Sequence, residues 1–341
     1  MHELTRAELG ADLSGRPVAL ISCLSFEERS LAVVKALTES NLRRWLCIVN
    51  EDIETDISSI RNSAISIAKQ AGLEIEFLDA LKSDPLRLTD SLIQLAQESP
   101  PREPLHWVAD ITTMTHEMLL IIVAAADEIM TPWQDIQLIY NVAGQYSGND
   151  EPSKKWISHG IHEIRSVIGY SGVWSPGEQT TLVALPGFDA ERMQLMVEEI
   201  EPDHLIVGIA HPTRNHHTWS ADKNRQIANS LLTTRKGSTF EYPALDPFGA
   251  VDAVIKALQG VKNNVLLAPL NSKISTAGLG LLVRKRPEWR ICYAPAFIYN
   301  LSYASPSDYF LTCSLRSIAE HIQSSLVLAR FTQSDDGPEQ L

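Results

Sequence analysis

VALISCLSFEERSLAVVKAL (residues 18–37) and TTLVALPGFDAERMQLMVEEI (residues 180–200) follow one order. Each is an apolar run of β-type residues, then a short polar turn, then apolar residues at helical spacing. Phe26, Glu27 and Arg29 of the first stretch answer to Phe188, Asp189 and Arg192 of the second, which has one extra residue in its turn. A repeat at this separation decides the architecture before any single element is assigned.

The parallel continues down the chain. RWLCIVNED (44–52) and DHLIVGIAHP (203–212) are short strand-like runs ending in polar residues, followed by the helical segments SSIRNSAISIAKQAG (58–72) and SADKNRQIANSLLTT (220–234). LEIEFLDALKSDPLRLTDSLIQLAQ (73–97) matches STFEYPALDPFGAVDAVIKALQG (238–260). In both, Asp-Pro stands where a helix should begin, at Asp84-Pro85 and Asp246-Pro247, because aspartate caps a helix and proline fits its first turn. LHWVADITTMTHEMLLIIVAAAD (105–127) matches NNVLLAPLNSKISTAGLGLLV (263–283), each a buried strand, a turn rich in Ser and Thr, and an apolar helix. A fifth strand closes each half, IQLIYNVAG (136–144) and WRICYAPA (289–296); an alternative register pairs the IYN triplets at 139–141 and 298–300.

Five continuous apolar strands alternating with four helices in each half predict an α/β protein with two tandem Rossmann-like, doubly wound, mostly parallel sheets. Four matched pairs in the same order predict an internal duplication, and with it an internal pseudo-dimer. The expected divisions are a first half at 1–175, a second half at 176–330 and a polar, disordered tail at 331–341.

With 341 residues, 44% of them hydrophobic and 21% charged, the chain has enough apolar material for one large core or two ordinary ones. Its apolar runs are too short to span a bilayer and MHELTRAELG lacks the pattern of a signal peptide, so the expectation is a cytoplasmic protein with no membrane partner. Cys23, Cys47, Cys292 and Cys313 lie far apart inside β-like runs and read as reduced core residues. A formal net charge of −13 opposes long nucleic acid, whose binding rests on cations that neutralise phosphates. A small nucleotide remains a feasible ligand, since oriented amides and one or two arginines suffice to hold it.

In open parallel sheets, ligands lie beyond the carboxyl ends of the strands. The turns at 22–29 and 110–116, and their counterparts at 186–192 and 271–276, fall there. The candidate ligand-binding residues are Ser25, Phe26, Arg29, Thr112, Thr113, Thr115 and His116 in the first half, and Phe188, Arg192, Asn271, Ser272, Lys273, Ser275 and Thr276 in the second. Hydroxyls beside the amides of a helix N-terminus suit phosphate or ribose, although the same threonines also serve as plain helix caps. Arg29 and Arg192 sit one turn into a helix, placed either to grip a phosphate or to pair with the neighbouring acids Glu27, Glu28 and Glu191. Glu27 and Asp110 are the candidate catalytic carboxylates for general-base work; the competing reading is an Asp that holds its turn through backbone amides.

The glycines of a Walker A loop or a dinucleotide fingerprint are missing, so no cofactor is expected. His211, His216 and His217 form the only histidine cluster, without a carboxylate or thiol at ligand spacing, so no metal is expected either.

The strand, Asp110-Ile-Thr, small-residue turn and apolar helix over 105–126 resemble the signature of CARF domains, the CRISPR-associated Rossmann-fold sensors, whose turn reads D-[IV]-T-G-G-T-K. Here Thr113 and Met114 stand in place of the glycines and His116 in place of the lysine. The resemblance implies a nucleotide second-messenger sensor that binds a cyclic oligonucleotide and acts through a protein partner in antiviral defence, or else a ring nuclease. Three readings therefore stand: a nucleotide-binding sensor, an enzyme cleaving a nucleotide or its N-glycosidic bond through Glu27 and Asp110, and a non-catalytic scaffold subunit.

Overall fold

Strands buried on both faces carry unbroken apolar runs, and such runs form the centre of each sheet. The computed structural model describes residues 1–38, 41–50, 57–80, 83–97, 104–128, 135–146, 158–211, 219–301 and 304–334. In chain order the elements begin with β1 (His2–Thr5), α1 (Arg6–Leu13), β2 (Val18–Leu24), α2 (Ala32–Leu37), β3 (Leu42–Asn50), α3 (Ser58–Gln70), β4 (Ile75–Ala80) and α4 (Leu86–Gln97). They continue with β5 (His106–Asp110), α5 (His116–Glu128), β6 (Gln137–Asn141), β7 (Ser158–Ile161), β8 (Arg165–Ser166), β9 (Thr180–Leu185), α6 (Ala190–Ile200), β10 (His204–His211) and α7 (Trp219–Leu232). The rest are β11 (Gly237–Pro243), α8 (Pro247–Ala257), β12 (Asn264–Pro269), α9 (Lys273–Arg284), β13 (Trp289–Tyr293), β14 (Ala296–Tyr299), β15 (Tyr309–Ser314) and α10 (Leu315–Ser334).

The chain forms two units. The first contains Met1–Glu163, Val167–Gly169 and Pro295–Leu315. Its sheet runs β1-β15-β6-β5-β2-β3-β4, with β2 to β6 mutually parallel, β15 antiparallel to β6, and β1 antiparallel to β15. A separate antiparallel ribbon pairs β7 with β14. The second unit contains Ile164–Ser166, Tyr170–Ala294 and Arg316–Leu341. Its sheet runs β11-β10-β9-β12-β13-β8, parallel except for the edge strand β8. Numbered within its own unit, each parallel core has the order third, second, first, fourth, fifth: both units are Rossmann-like. All ten strands of these two cores are the ten runs read from the sequence.

Three expectations differ from what is observed. The division at 1–175 and 176–330 is replaced by a discontinuous one, because β15 returns from far along the chain to cover the edge of β6. Phe310 of β15 is 1% exposed in the first unit's core, which explains why that segment belongs there. The tail expected from 331 instead continues α10 to Ser334, since 315–334 contains no glycine or proline to stop the helix; residues 335–341 lie outside the described residues. The IYN register also fails, because Ile298 and Tyr299 lie in the ribbon while β13 is the fifth parallel strand.

Local signals behave as their chemistry requires. Asp246 accepts a hydrogen bond from the Phe248 amide at 3.1 Å with Pro247 opening the helix, and Asp84 accepts one from the Leu86 amide at 3.3 Å. Trp45 is fully buried and its indole N–H donates to Ser22 Oγ at 2.8 Å, so the ring is buried without stranding its donor. Among the described residues no helix is long and apolar enough to cross a membrane.

All four cysteines are buried thiols outside any disulfide. Burial pushes the Cys47 and Cys292 thiols up to about 12, so at pH 8 only about one in ten thousand of each is thiolate, the reactive form. We expect iodoacetamide at pH 8 to leave the folded protein unmodified within an hour and to alkylate all four positions in urea. Rapid labelling of the folded chain at Cys47 or Cys292 would show that these strands open.

Candidate functional site

In the first unit the turns after β2 and β5 lie side by side, since these strands are parallel neighbours. Thr113 Oγ1 donates to the Cys23 carbonyl at 2.6 Å and locks one turn to the other. Ser25, Glu27, Arg29, Asp110, Thr112, Thr113 and His116 are all buried there, while Phe26 and Thr115 are half-buried.

Most of these buried polar groups are engaged with one another. Arg29 donates from Nε to Glu27 Oε2 at 2.9 Å, and its Nη2 lies 2.7 Å from the same oxygen. Its Nη1 donates to the Asn141 carbonyl at 3.1 Å, tying the first turn to the end of β6. At 1% exposure Arg29 faces inward as a strut, and the neighbour-pairing reading of this residue is the one observed. Asp110 Oδ1 accepts from the Thr112 amide at 3.0 Å, the turn-holding geometry, and Thr112 Oγ1 accepts from the Asn141 amide at 2.9 Å. Thr115 Oγ1 accepts from the Met118 amide at 3.1 Å and caps α5. Burial pushes the Tyr146 hydroxyl upward, with Tyr140 raising it further and the nearby Arg29 opposing, so it stays a neutral phenol.

The second unit repeats the first-turn pair in a different spacing. Arg192 Nη2 lies 2.9 Å from Asp189 Oδ2, both nearly fully buried, and the guanidinium sits 5.7 Å from the Tyr293 ring centroid. The extra residue in this turn compensates for the shorter acid: an aspartate three residues before its arginine does what a glutamate two residues before does in the first unit. Gly187 makes the bend at φ +58°, where a Cβ would stand 2.9 Å from the Leu270 carbonyl oxygen. Ser272 caps α9 by accepting from the Ser275 amide at 3.2 Å and donates to the Ala244 carbonyl. Ser275 and Thr276 both donate back to the Ser272 carbonyl, at 2.9 and 3.0 Å. Asn271 Nδ2 donates to the Tyr242 hydroxyl, whose burial pushes its pKa upward. Lys273 is half-buried at the first position of α9, and the Lys223 ammonium stands 5.6 Å from the Phe188 ring centroid.

The expected residues thus gather into one turn pair per unit, where the hydroxyls of Thr112, Thr113, Thr115, Ser272, Ser275 and Thr276 and the guanidinium of Arg29 brace the turns and Arg192 pairs with Asp189. Residues the sequence reading passed over complete the first unit's site. Asn141, fully buried, donates from Nδ2 to the carbonyls of Ser307 at 2.8 Å and Tyr309 at 3.1 Å, and accepts from the Ser307 amide at 3.4 Å. It ties the start of β15 to the end of β6, and in β14 the Tyr299 ring lies 6.5 Å from that of Phe26. A polar residue closing the apolar run IQLIY was a legible signal for Asn141; nothing in the sequence marks Tyr299 as a neighbour of Phe26 or Ser307 as one of Asn141.

His211 Nδ1 lies 3.8 Å from Glu241 Oε2, while His216 and His217 fall outside the described residues. Among the described residues no three His, Cys, Asp or Glu side chains gather as a metal site would require. No known protein family matches the chain, and no curated protein of similar sequence matches it.

Proposed function

We propose that this protein binds a small nucleotide at the carboxyl ends of its parallel strands and passes the signal to a partner protein without consuming the ligand. What carries this reading is the buried acid–arginine pair, Glu27–Arg29 in one unit and Asp189–Arg192 in the other, which fixes the same first turn of two sheets with the same strand order. A turn held rigid before the ligand arrives lowers the ordering cost of binding. The coincidence of topology and turn chemistry also supports descent of both units from one duplicated half.

Binding is favoured over turnover because the candidate bases are already engaged. Glu27 Oε2 receives two guanidinium nitrogens and Asp110 Oδ1 receives an amide, whereas a general base needs an oxygen aimed at the proton it removes. The likeness of 105–126 to CARF sensors directs the ligand search to cyclic and linear oligonucleotides and the biology to antiviral defence.

The test is thermal unfolding against mono-, di- and cyclic oligonucleotides, with product analysis on the same samples. A ligand present at about 100 times its dissociation constant adds roughly 2.7 kcal/mol. The expected result is a shift with ligand recovered intact, weakened by Thr113→Val, which cuts the bridge between the two turns. A shift with degraded ligand, lost in Glu27→Gln, would convert the reading to an enzyme; no shift across the panel would leave a scaffold.

A further inference from the structure

Arg290 is the second residue of β13, and its guanidinium lies 4.6 Å from the Trp174 ring centroid. Its Nε is buried and has no hydrogen-bond partner. Acids outnumber Lys and Arg by 42 to 29 in this chain, yet the Arg290 side chain meets no carboxylate among the described residues. Glu288, two positions earlier, is taken by Arg286. The segment over Arg290 is fixed. The Val173 amide donates to the Pro287 carbonyl at 2.9 Å, and the Ile291 amide donates to the Tyr170 carbonyl at 3.2 Å. Asn264 holds the next stretch, accepting from the Ser175 amide at 2.9 Å and donating to the Ser175 and Glu178 carbonyls at 3.0 and 3.1 Å. Gly172 makes the bend at φ +53°, where a Cβ would stand 2.7 Å from Arg290 Cγ, so the chain closes over the stem of the arginine. Beside this framework Val173 is 66% and Trp174 37% exposed.

We propose that Val173, Trp174 and Arg290 of the second unit form a docking site for an acidic segment of a partner protein, anchored by an apolar side chain. A half-buried arginine held by a ring and unanswered by an acid is half of an ion pair. A carboxylate from another chain completes it in the bidentate geometry that suits a guanidinium. Trp and Arg are the residues in which protein interfaces concentrate their binding energy, and Val173 adds an apolar contact next to them. A stem already enclosed and a loop already fixed lower the ordering cost of association. The run RKRPEWR (284–290) carries four cations against one acid, a local reversal of the net charge of −13 that steers an acidic segment to this part of the surface. The same net charge opposes a long nucleic acid. The site lies where β12 and β13 begin, whereas the candidate turns follow the carboxyl ends of the strands, so it stands independently of the nucleotide reading.

The experiment is selection from a displayed library of random peptides on the full-length chain, then equilibrium binding of the enriched peptides to the parent and to Arg290→Gln, Val173→Glu and Val173→Lys. The enriched peptides are expected to be rich in Asp and Glu around a large apolar residue, and to bind more weakly as salt rises. Arg290→Gln weakens them about 30-fold. Val173 is exposed, so its variants keep the parent Tm; glutamate there weakens binding and lysine strengthens it, opposite signs that a merely structural role would not produce. The nucleotide-induced thermal shift should persist in Arg290→Gln, which keeps failure of one reading apart from failure of the other. Peptides without acidic bias, equal affinity in Arg290→Gln, or no enrichment at all would each overturn the docking site. So would competition by SDDGPEQL (334–341), which would hand the surface to this chain's own acidic segment. Tighter binding of single-stranded oligothymidylate, abolished by Arg290→Gln, would make it a nucleic-acid contact and overturn it likewise.

Discussion

Arg29→Ala will destabilise the first unit by about 3–5 kcal/mol, because it strands the Glu27 carboxylate in a site where the acid is 6% and the arginine 1% exposed. It also removes the donor that holds the Asn141 carbonyl. For a unit of this size such a loss lowers the unfolding midpoint by on the order of 10 °C. The sign changes when both charges go together: Glu27→Leu combined with Arg29→Met should recover most of the loss, since an ion pair replaced by apolar groups of similar volume is often neutral or stabilising. Urea titration of the two single variants and the double variant measures the coupling directly. A single-variant cost below about 1 kcal/mol would mean that water reaches the pair, as at an exposed salt bridge. Arg192→Ala against Asp189 provides the same comparison in the second unit.

The second large effect is at Asn141. Its side chain answers two carbonyls and one amide of the returning segment while fully buried. Asn141→Ala leaves those groups to find other partners, and each buried group left unsatisfied costs about 1–3 kcal/mol; we expect a net loss of about 3 kcal/mol. Asn141→Asp should be worse at pH 7, because it sets a carboxylate against the Ser307 and Tyr309 carbonyl oxygens in place of a donor. Hydrogen exchange gives the spatial readout: the Ser307 and Tyr309 amides should lose protection in Asn141→Ala well before those of β2 and β5. Equal loss across the sheet would show that the returning segment and the parallel core unfold as one.

Both effects bear on the proposed binding. The ion pair braces the turn that carries Phe26, and Asn141 ties the start of β15 to the end of β6 beside it. Ligand affinity should therefore fall in these variants along with stability. For that reason the binding hypothesis is tested at Thr113, whose replacement by valine removes a single hydrogen bond between the turns.

The sequence by itself determined the two parallel cores. Strand 18–24 and strand 180–185 are apolar on both faces, each is followed by helix-period residues, and the strand–helix order occurs four times in each half before a fifth strand closes it; burial on both faces and right-handed crossover leave little choice of topology. It also determined the caps at Asp84 and Asp246 and the buried cysteines, which depend on residues within a few positions or on hydrophobicity alone. Only the tertiary structure decided what Arg29 does, since a guanidinium beside two glutamates reads equally as a phosphate grip or an ion pair until its burial is known. The same holds for β15 and the β7–β14 ribbon. Segments 158–161 and 296–299 are short, and pairing between strands so far apart in sequence leaves no periodic trace in either one. Local patterns record which face of an element is buried; which distant segment buries it is settled by the closure of the whole sheet.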